Sequence, residues 1–379
     1  MKILYRYVFI FYLLLIVQLK LNALPRFALS TGIKCASCHI NPTGGQMRNQ
    51  YGTNTYSMEE LPLESTFDSE FTFDPKISDN ITIGSDFRSQ YLADEFTHTS
   101  TFQAMAASVY ASVNLTKKAT FYYKQDIVNG TYGSFFPGTE VFALVKGLPA
   151  NFYAKGGIFL PDFGWRIDDH TGYTRGGDLG YTSAGYHPGL FFVPNYKDIG
   201  LEIGNYFDDF FITVGIFNGT GHTNKLNFSK EKSVSAKIEY ANQIFSHNYR
   251  VGISNYSYKN FTMQGVNFGI GTEDLTFLAE IDWAKNQLDI NTYVITEKVR
   301  SLAAFAEIDY RIMQGLWFVG KYDLFDPQQG VKDDVLKRVN FGVEFFPMSF
   351  IELRPFYRFN IEKPEFSNNQ FVLQMHVWF

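Results

Sequence analysis

Cysteine is almost missing from this chain of 379 residues: only Cys35 and Cys38 occur, three positions apart. One such pair cannot build the disulfide framework that many small exported domains depend on. A basic stripe is missing as well, and the net charge of −5 argues against nucleic acid as a partner. After residue 23 no window approaches the ~20 apolar residues that a membrane-spanning helix requires. Helical periodicity is scarce throughout, which is unusual for a soluble protein of this length. What remains is rich in aromatics, with 39 Phe and 24 Tyr, and in glycine, while charge is modest at 19%.

The first 23 residues read as a secretory signal peptide. Lys2 and Arg6 are followed by an apolar stretch from Val8 to Val17, and Leu21-Asn22-Ala23 ends in a small residue suited to cleavage. From Ile81 onward the chain repeats segments with a period of two, separated by turns. Leu302, Ala304, Ala306, Ile308, Tyr310 and Ile312 alternate with Ser301, Ala303, Phe305, Glu307, Asp309 and Arg311. Val339, Phe341, Val343 and Phe345 alternate in the same way with Arg338, Asn340, Gly342 and Glu344. A soluble sandwich shows such alternation too, so strand length and chain ending must decide. The last residues place an apolar side chain at every second position back from Phe379, which resembles the closing strand of bacterial outer-membrane proteins.

Sixteen strands are predicted, from 81–92 through 368–379. Short turns are expected at Leu115–Lys118, Leu148–Asn151, Phe207–Asp208, Met313–Gly315 and Pro347–Ser349. Long connections alternate with them, the longest being 164–196. The predicted fold is therefore an all-β, 16-stranded antiparallel transmembrane barrel over 81–379, with both termini on the short-turn, periplasmic side. Its lumen face carries both signs of charge, including Asp86, Arg88, Lys237, Glu239, Glu307, Arg311, Arg338, Glu352, Arg354 and Arg358, read as a mutually paired wall. Residues 24–58 form a separate segment, and 59–80 a linker into the barrel.

Within that segment, Cys35-Ala36-Ser37-Cys38-His39 fits the C-x-x-C-H pattern of covalent c-type haem attachment. Two thiols one helical turn apart can add to the two vinyl groups on one porphyrin edge, and the adjacent imidazole becomes the proximal iron ligand. A redox dithiol would call for a βαβ context, and a zinc site for a second ligand pair; neither is present. Met47, after the turn-prone Asn41-Pro42-Thr43-Gly44-Gly45, is the candidate distal ligand, with Met58, His247 and His376 as rivals. A segment this short cannot shelter a haem with a core of its own, so it is expected to plug the periplasmic mouth of the barrel.

Pro25-Arg26-Phe27-Ala28, then Gly32, Cys35, Cys38 and His39, then Arg48-Asn49-Gln50-Tyr51-Gly52, ahead of a 16-strand porin, resembles the fused monohaem cytochrome–porins of bacterial outer membranes. These include the outer-membrane iron oxidases. The resemblance implies haem c held in a porin barrel, passing electrons between extracellular ferrous iron and periplasmic cytochromes or other carriers. The Asn41–Gly45 insert departs from the iron oxidases and leaves the donor open. Two readings stand: an outer-membrane electron conduit, with or without iron(II):cytochrome c oxidoreductase-like activity, or a solute-conducting porin whose haem is structural or serves only a periplasmic partner. In the loop 164–196, Asp168, Asp169 and Asp178 with His170 are candidates to gather ferrous ions, since carboxylate and imidazole suit that metal.

Overall fold

The computed structural model describes residues 25–64, 73–95, 97–129, 134–167, 169, 171–177, 189–190, 196–221, 226, 228–286, 299–365 and 368–379. Sixteen long strands form one antiparallel sheet. They are β1 (Ile81–Asp94), β2 (Thr99–Asn114), β3 (Ala119–Asn129), β4 (Ser134–Val145), β5 (Tyr153–Phe159), β6 (Asp198–Phe207), β7 (Phe210–Phe217) and β8 (Ser233–Ile244). The other half comprises β9 (His247–Tyr258), β10 (Phe261–Gly271), β11 (Leu275–Lys285), β12 (Arg300–Met313), β13 (Leu316–Asp326), β14 (Leu336–Phe345), β15 (Ile351–Ile361) and β16 (Gln370–Trp378). Each strand pairs with the next, and β16 returns to β1 with Gln370 opposite Asp94 and Trp378 opposite Asp86. Phe379 adds two more backbone bonds to Ser85. Closure leaves no open sheet edge.

Period two decides which side chains face which way. In β10, Val266, Phe268 and Ile270 point outward and are exposed, while Met263 and Asn267 point inward and are buried. Leu201, Ile203, Val214 and Ile216 continue the apolar exterior on β6 and β7. A contiguous outer band of this kind is what a barrel presents to lipid. The alternation in β11, β12 and β14 runs as the sequence requires, because a one-residue slip would turn every charged lumen residue outward.

Turns of two to seven residues close one end of the barrel, such as Asp208–Asp209 and Gln314–Gly315. The longest connection, 160–197 between β5 and β6, leaves from the other end and folds into the lumen. Trp165 on it donates its indole N–H to the Ala279 carbonyl, and Arg175 pairs with Glu280 and Asp282. The strand-like stretch 289–295 lies outside the described residues.

The lumen is not an open channel along its whole length. Residues 25–64 occupy it at the short-turn end. The lumen-facing Lys155, Glu202, Asp282, Asp309 and Glu344 are at most 2% exposed. Such charges survive burial because they pair: Lys155 with Glu202 at 2.8 Å, and Lys237 and Arg250 with Glu239 at 3.5 and 3.0 Å. Arg311, near the mouth, pairs with Glu273 and Asp274.

Candidate haem site

The inner segment opens with α1 (Pro25–Thr31). Pro25 suits a first helical position, where its missing N–H is no loss. The helix ends at Gly32, whose φ of +71° is the left-handed closing conformation, with its N–H on the Ala28 carbonyl. Leu29 inserts among Trp165, Leu278 and Phe305, so the helix is clamped between the inward loop and the wall. Arg26 pairs with Glu344 and lies 3.8 Å from Asp309 and 3.9 Å from Glu352. Burial works against its charge, but those carboxylates more than offset it and hold the guanidinium protonated.

The one-turn helix α2 (Cys35–Cys38) follows, and the His39 N–H bonds back to the Cys35 carbonyl. The chain then reverses. The Asn41 side chain accepts from the Thr43 N–H and hydroxyl, the Gly44 N–H reaches the Asn41 carbonyl, and His39 pairs with Arg48 across a short antiparallel bridge. The reversal anticipated from Pro42, Gly44 and Gly45 is present. Paired neighbours alternate in direction, so His39 and Arg48 share one face of this hairpin and Ile40 and Met47 the other. Met47 packs with Tyr110, Tyr122 and Phe142, against the barrel wall.

A wide helix, Tyr51–Glu60, covers the Cys–His turn and carries the segment past the boundary expected at residue 58. Gly52 sets the approach: a Cβ there would lie 2.3 Å from the Cys38 carbonyl oxygen, a distance no side chain tolerates. Asn49 fastens the same corner, its amide on the Ser37 carbonyl at 2.8 Å. Wall contacts hold the rest. Asn248 donates to the Leu29 carbonyl, Tyr206 to Pro42, Lys155 to Asn41, Tyr122 to Gln46, and Trp378 to the Ser57 hydroxyl. Every one of these wall residues sits toward the short-turn end of its strand.

His39 is 2% exposed, and neither ring nitrogen has a hydrogen-bond partner. An unmet buried polar group costs about 1–3 kcal/mol, which a ligand on the ring would relieve. Burial, reinforced by the charges of Arg48 and Arg166, pushes the imidazole pKa down to about 3, with the backbone of Met47 and Gln46 pulling the other way. The ring is therefore neutral, the form that binds a metal. A small cavity adjoins it, lined by Phe27, Ile33, Cys38, His39, Arg48 and Tyr56 among others, with Cys35 outside that lining. Both cysteines are unbridged, and burial pushes the Cys35 thiol up and the Cys38 thiol up to about 12. A redox dithiol depends on a stabilised thiolate, and this environment does the opposite. A neutral buried imidazole, two unbridged thiols on one helical turn and the side chains of Phe27, Ile33, Tyr56 and Leu61 are what a covalently tethered porphyrin would need here. Met47, on the far hairpin face, does not line this void; Met58 packs with Leu61, Phe346 and Trp378; His247 is exposed. His376 is held by Asp86 at 2.8 Å and Glu352 at 3.1 Å.

Of the acidic loop candidates, Asp169 bonds Lys321 at 2.6 Å and the Thr171 hydroxyl at 2.7 Å, a closed structural tie. Asp168, His170 and Asp178 lie outside the described residues. Among the described residues no group of three or more metal-ligating side chains gathers. The sequence reading missed Arg166, which donates to the Thr43 hydroxyl at 2.8 Å and so joins the inward loop to the inner-segment hairpin.

The architecture is that of the outer-membrane porins, shown by comparison with solved structures. The chain is similar to OmpF of Salmonella typhi, in complex with daunomycin, at 14% identity and a TM-score of 0.56, covering 79% of this chain and 98% of that one. It is similar to OprB of Pseudomonas putida (10%, TM-score 0.53, 79% and 94%) and to the anion-selective porin of Comamonas acidovorans (11%, TM-score 0.52, 79% and 99%). No protein-family model and no curated protein matches the chain.

Proposed function

We propose that this protein is an outer-membrane electron-transfer protein, with one haem c tethered through Cys35 and Cys38 and ligated by His39 inside a porin barrel. The observation that carries the reading is the buried, neutral His39 beside a cavity that Cys38 also lines, with the unbridged Cys35 one helical turn away. When bound, the haem supplies one-electron chemistry between the ferrous and ferric states. The residues around it have separate tasks. Phe27, Ile33, Tyr56 and Leu61 exclude water, α2 and Gly52 fix the tether, and the barrel wall holds the segment in place. The short-turn end faces the periplasm in this reading, as it does in bacterial barrels, so the segment meets periplasmic carriers there. From the other side the inward loop reaches the segment through Arg166 and Thr43, which brings an external donor or acceptor, ferrous iron among them, within one loop of the site.

A solute-conducting porin is the second reading, favoured by the porin fold alone. The buried, paired lumen charges weigh against a wide pore. The test uses the purified protein in liposomes that enclose an oxidised soluble cytochrome. Ferrous iron added outside should reduce first the embedded haem and then the enclosed cytochrome. Absence of both reductions, together with large solute conductance in planar bilayers, would favour the pore.

A further inference from the structure

We infer that the helix Tyr51–Glu60 is the clasp of the barrel. Its docking on the β14–β16 wall and the pairing of β16 with β1 are one event, so a chain whose inner segment has not docked does not close. This coupling is independent of the haem reading above.

Every strand pairing but one joins neighbours in sequence. The exception, β16 with β1, joins the two ends of the sheet. Closing that pair loops the whole barrel sequence, so it costs the most chain entropy and comes last. Barrel residues alone do not complete the inner face of this seam. On β1 the lumen position is Gly84, where a Cβ would lie 2.9 Å from the Phe379 carbonyl oxygen and 3.7 Å from Met47 Cγ. On β16, Trp378 faces the lumen yet is 2% exposed, because the inner segment covers it. Its indole N–H donates to the Ser57 hydroxyl at 3.1 Å, and the Arg48 guanidinium lies 4.9 Å from its ring centre. Met58 and Leu61 pack with Trp378, Phe346 and Phe350.

The helix is held in turn by the ends of the closing strands. The Ser349 hydroxyl donates to the Met58 carbonyl at 2.8 Å, and the Leu63 N–H donates to the Phe346 carbonyl at 2.8 Å. The Trp378 N–H reaches the Phe350 carbonyl at 3.2 Å, and Phe73 packs edge-on against Phe350 and Phe379. An open seam would leave Met58 and Leu61 in water, and an undocked helix would do the same to Trp378. α1 has no part in this, since Leu29 packs on the β10–β12 side, where Gly269 and Gly271 make room for it. Sixteen strands without an inner segment would enclose an aqueous pore. A closure that depends on the segment keeps that pore from forming.

Met58→Asp and Leu29→Asp place the same unpaired charge at buried positions of the same segment, one on the seam and one away from it. In membranes carrying the full chain, the fraction that stays compact in SDS before heating should fall about tenfold in Met58→Asp. It should stay near wild type in Leu29→Asp, and also in Met58→Leu, which keeps volume and apolarity. Hydrogen exchange on the Met58→Asp molecules that do assemble should be faster at β1 and β16, with β7–β10 protection kept. Where too few of them assemble, Met58→Ala supplies the exchange measurement with the same expected pattern. Equal losses in the two Asp variants would overturn the coupling, because any buried charge would then suffice. So would wild-type closure in Met58→Asp, or a loss of protection spread evenly over all strands.

Discussion

Removing Arg26 should loosen the inner segment from the barrel without unfolding the barrel itself. Arg26 is 19% exposed and faces Glu344, Asp309 and Glu352, all nearly buried. Breaking a buried pair by deleting one partner costs about 3–5 kcal/mol, because the other charge is left uncompensated. Here Arg354 still serves Glu344 and Glu352, so the lower end applies. At 1.4 kcal/mol per tenfold, ~3 kcal/mol raises the population of the undocked segment roughly a hundredfold. Hydrogen exchange followed by mass spectrometry reads this directly. In Arg26→Ala, the α1 amides should exchange about a hundred times faster than wild type, while β9–β12 amides keep their protection. Leu29→Ala is the comparator. It removes packing against Trp165, Leu278 and Phe305, and should release α1 at a cost of about 2–5 kcal/mol. Wild-type exchange in Arg26→Ala would refute the idea that this ion cluster anchors the segment.

Other outcomes follow from the same geometry. Met47→Leu should leave the haem absorption bands unchanged, since Met47 lies on the hairpin face away from the His39 void; an altered ligand-field band would contradict that placement. Gly52→Ala should lower the yield of haem-loaded protein, because its Cβ would press on the Cys38 carbonyl and force the covering helix away at a cost of about 1–3 kcal/mol. The Asp169 tie should weaken only in acid. Burial alone would raise that carboxyl, but Lys321 and Thr171 hold it well below its ordinary 3.8, so the stabilisation is full above that value and is lost as pH falls toward the lower folded value. Loop protection measured by hydrogen exchange should drop over that interval in wild type and show no such step in Asp169→Asn.

Strand number and register were legible because lipid and lumen impose opposite demands on successive residues. The Leu302–Ile312 and Val339–Phe345 alternations admit only one facing. The short turns were legible for the same reason, being what remains between periodic runs. Within the inner segment, the proposed haem reading rests on five residues, since C-x-x-C-H is a chemical requirement rather than a packing preference. The wide helix over Tyr51–Glu60 escaped sequence reading because it has no apolar stripe and is held by Asn49, Ser57 and the wall. The connection 164–196 read only as the longest of the loops opposite the short turns, yet Trp165, Tyr173 and Arg175 are buried in the lumen. Aromatics clustered in a long connection were the available sign that it turns inward. Arg166 left no such sign, because a single arginine in a loop is ordinary until the fold sets it beside Thr43.

Intact-mass measurement of the protein purified from its own outer membrane tests the central claim most directly. The expected mass is that of the chain from the cleavage site onward plus one haem, retained after acidic organic extraction, with no thiol left to alkylate. A mass equal to the polypeptide alone, with Cys35 and Cys38 both alkylated after denaturation, would contradict the account.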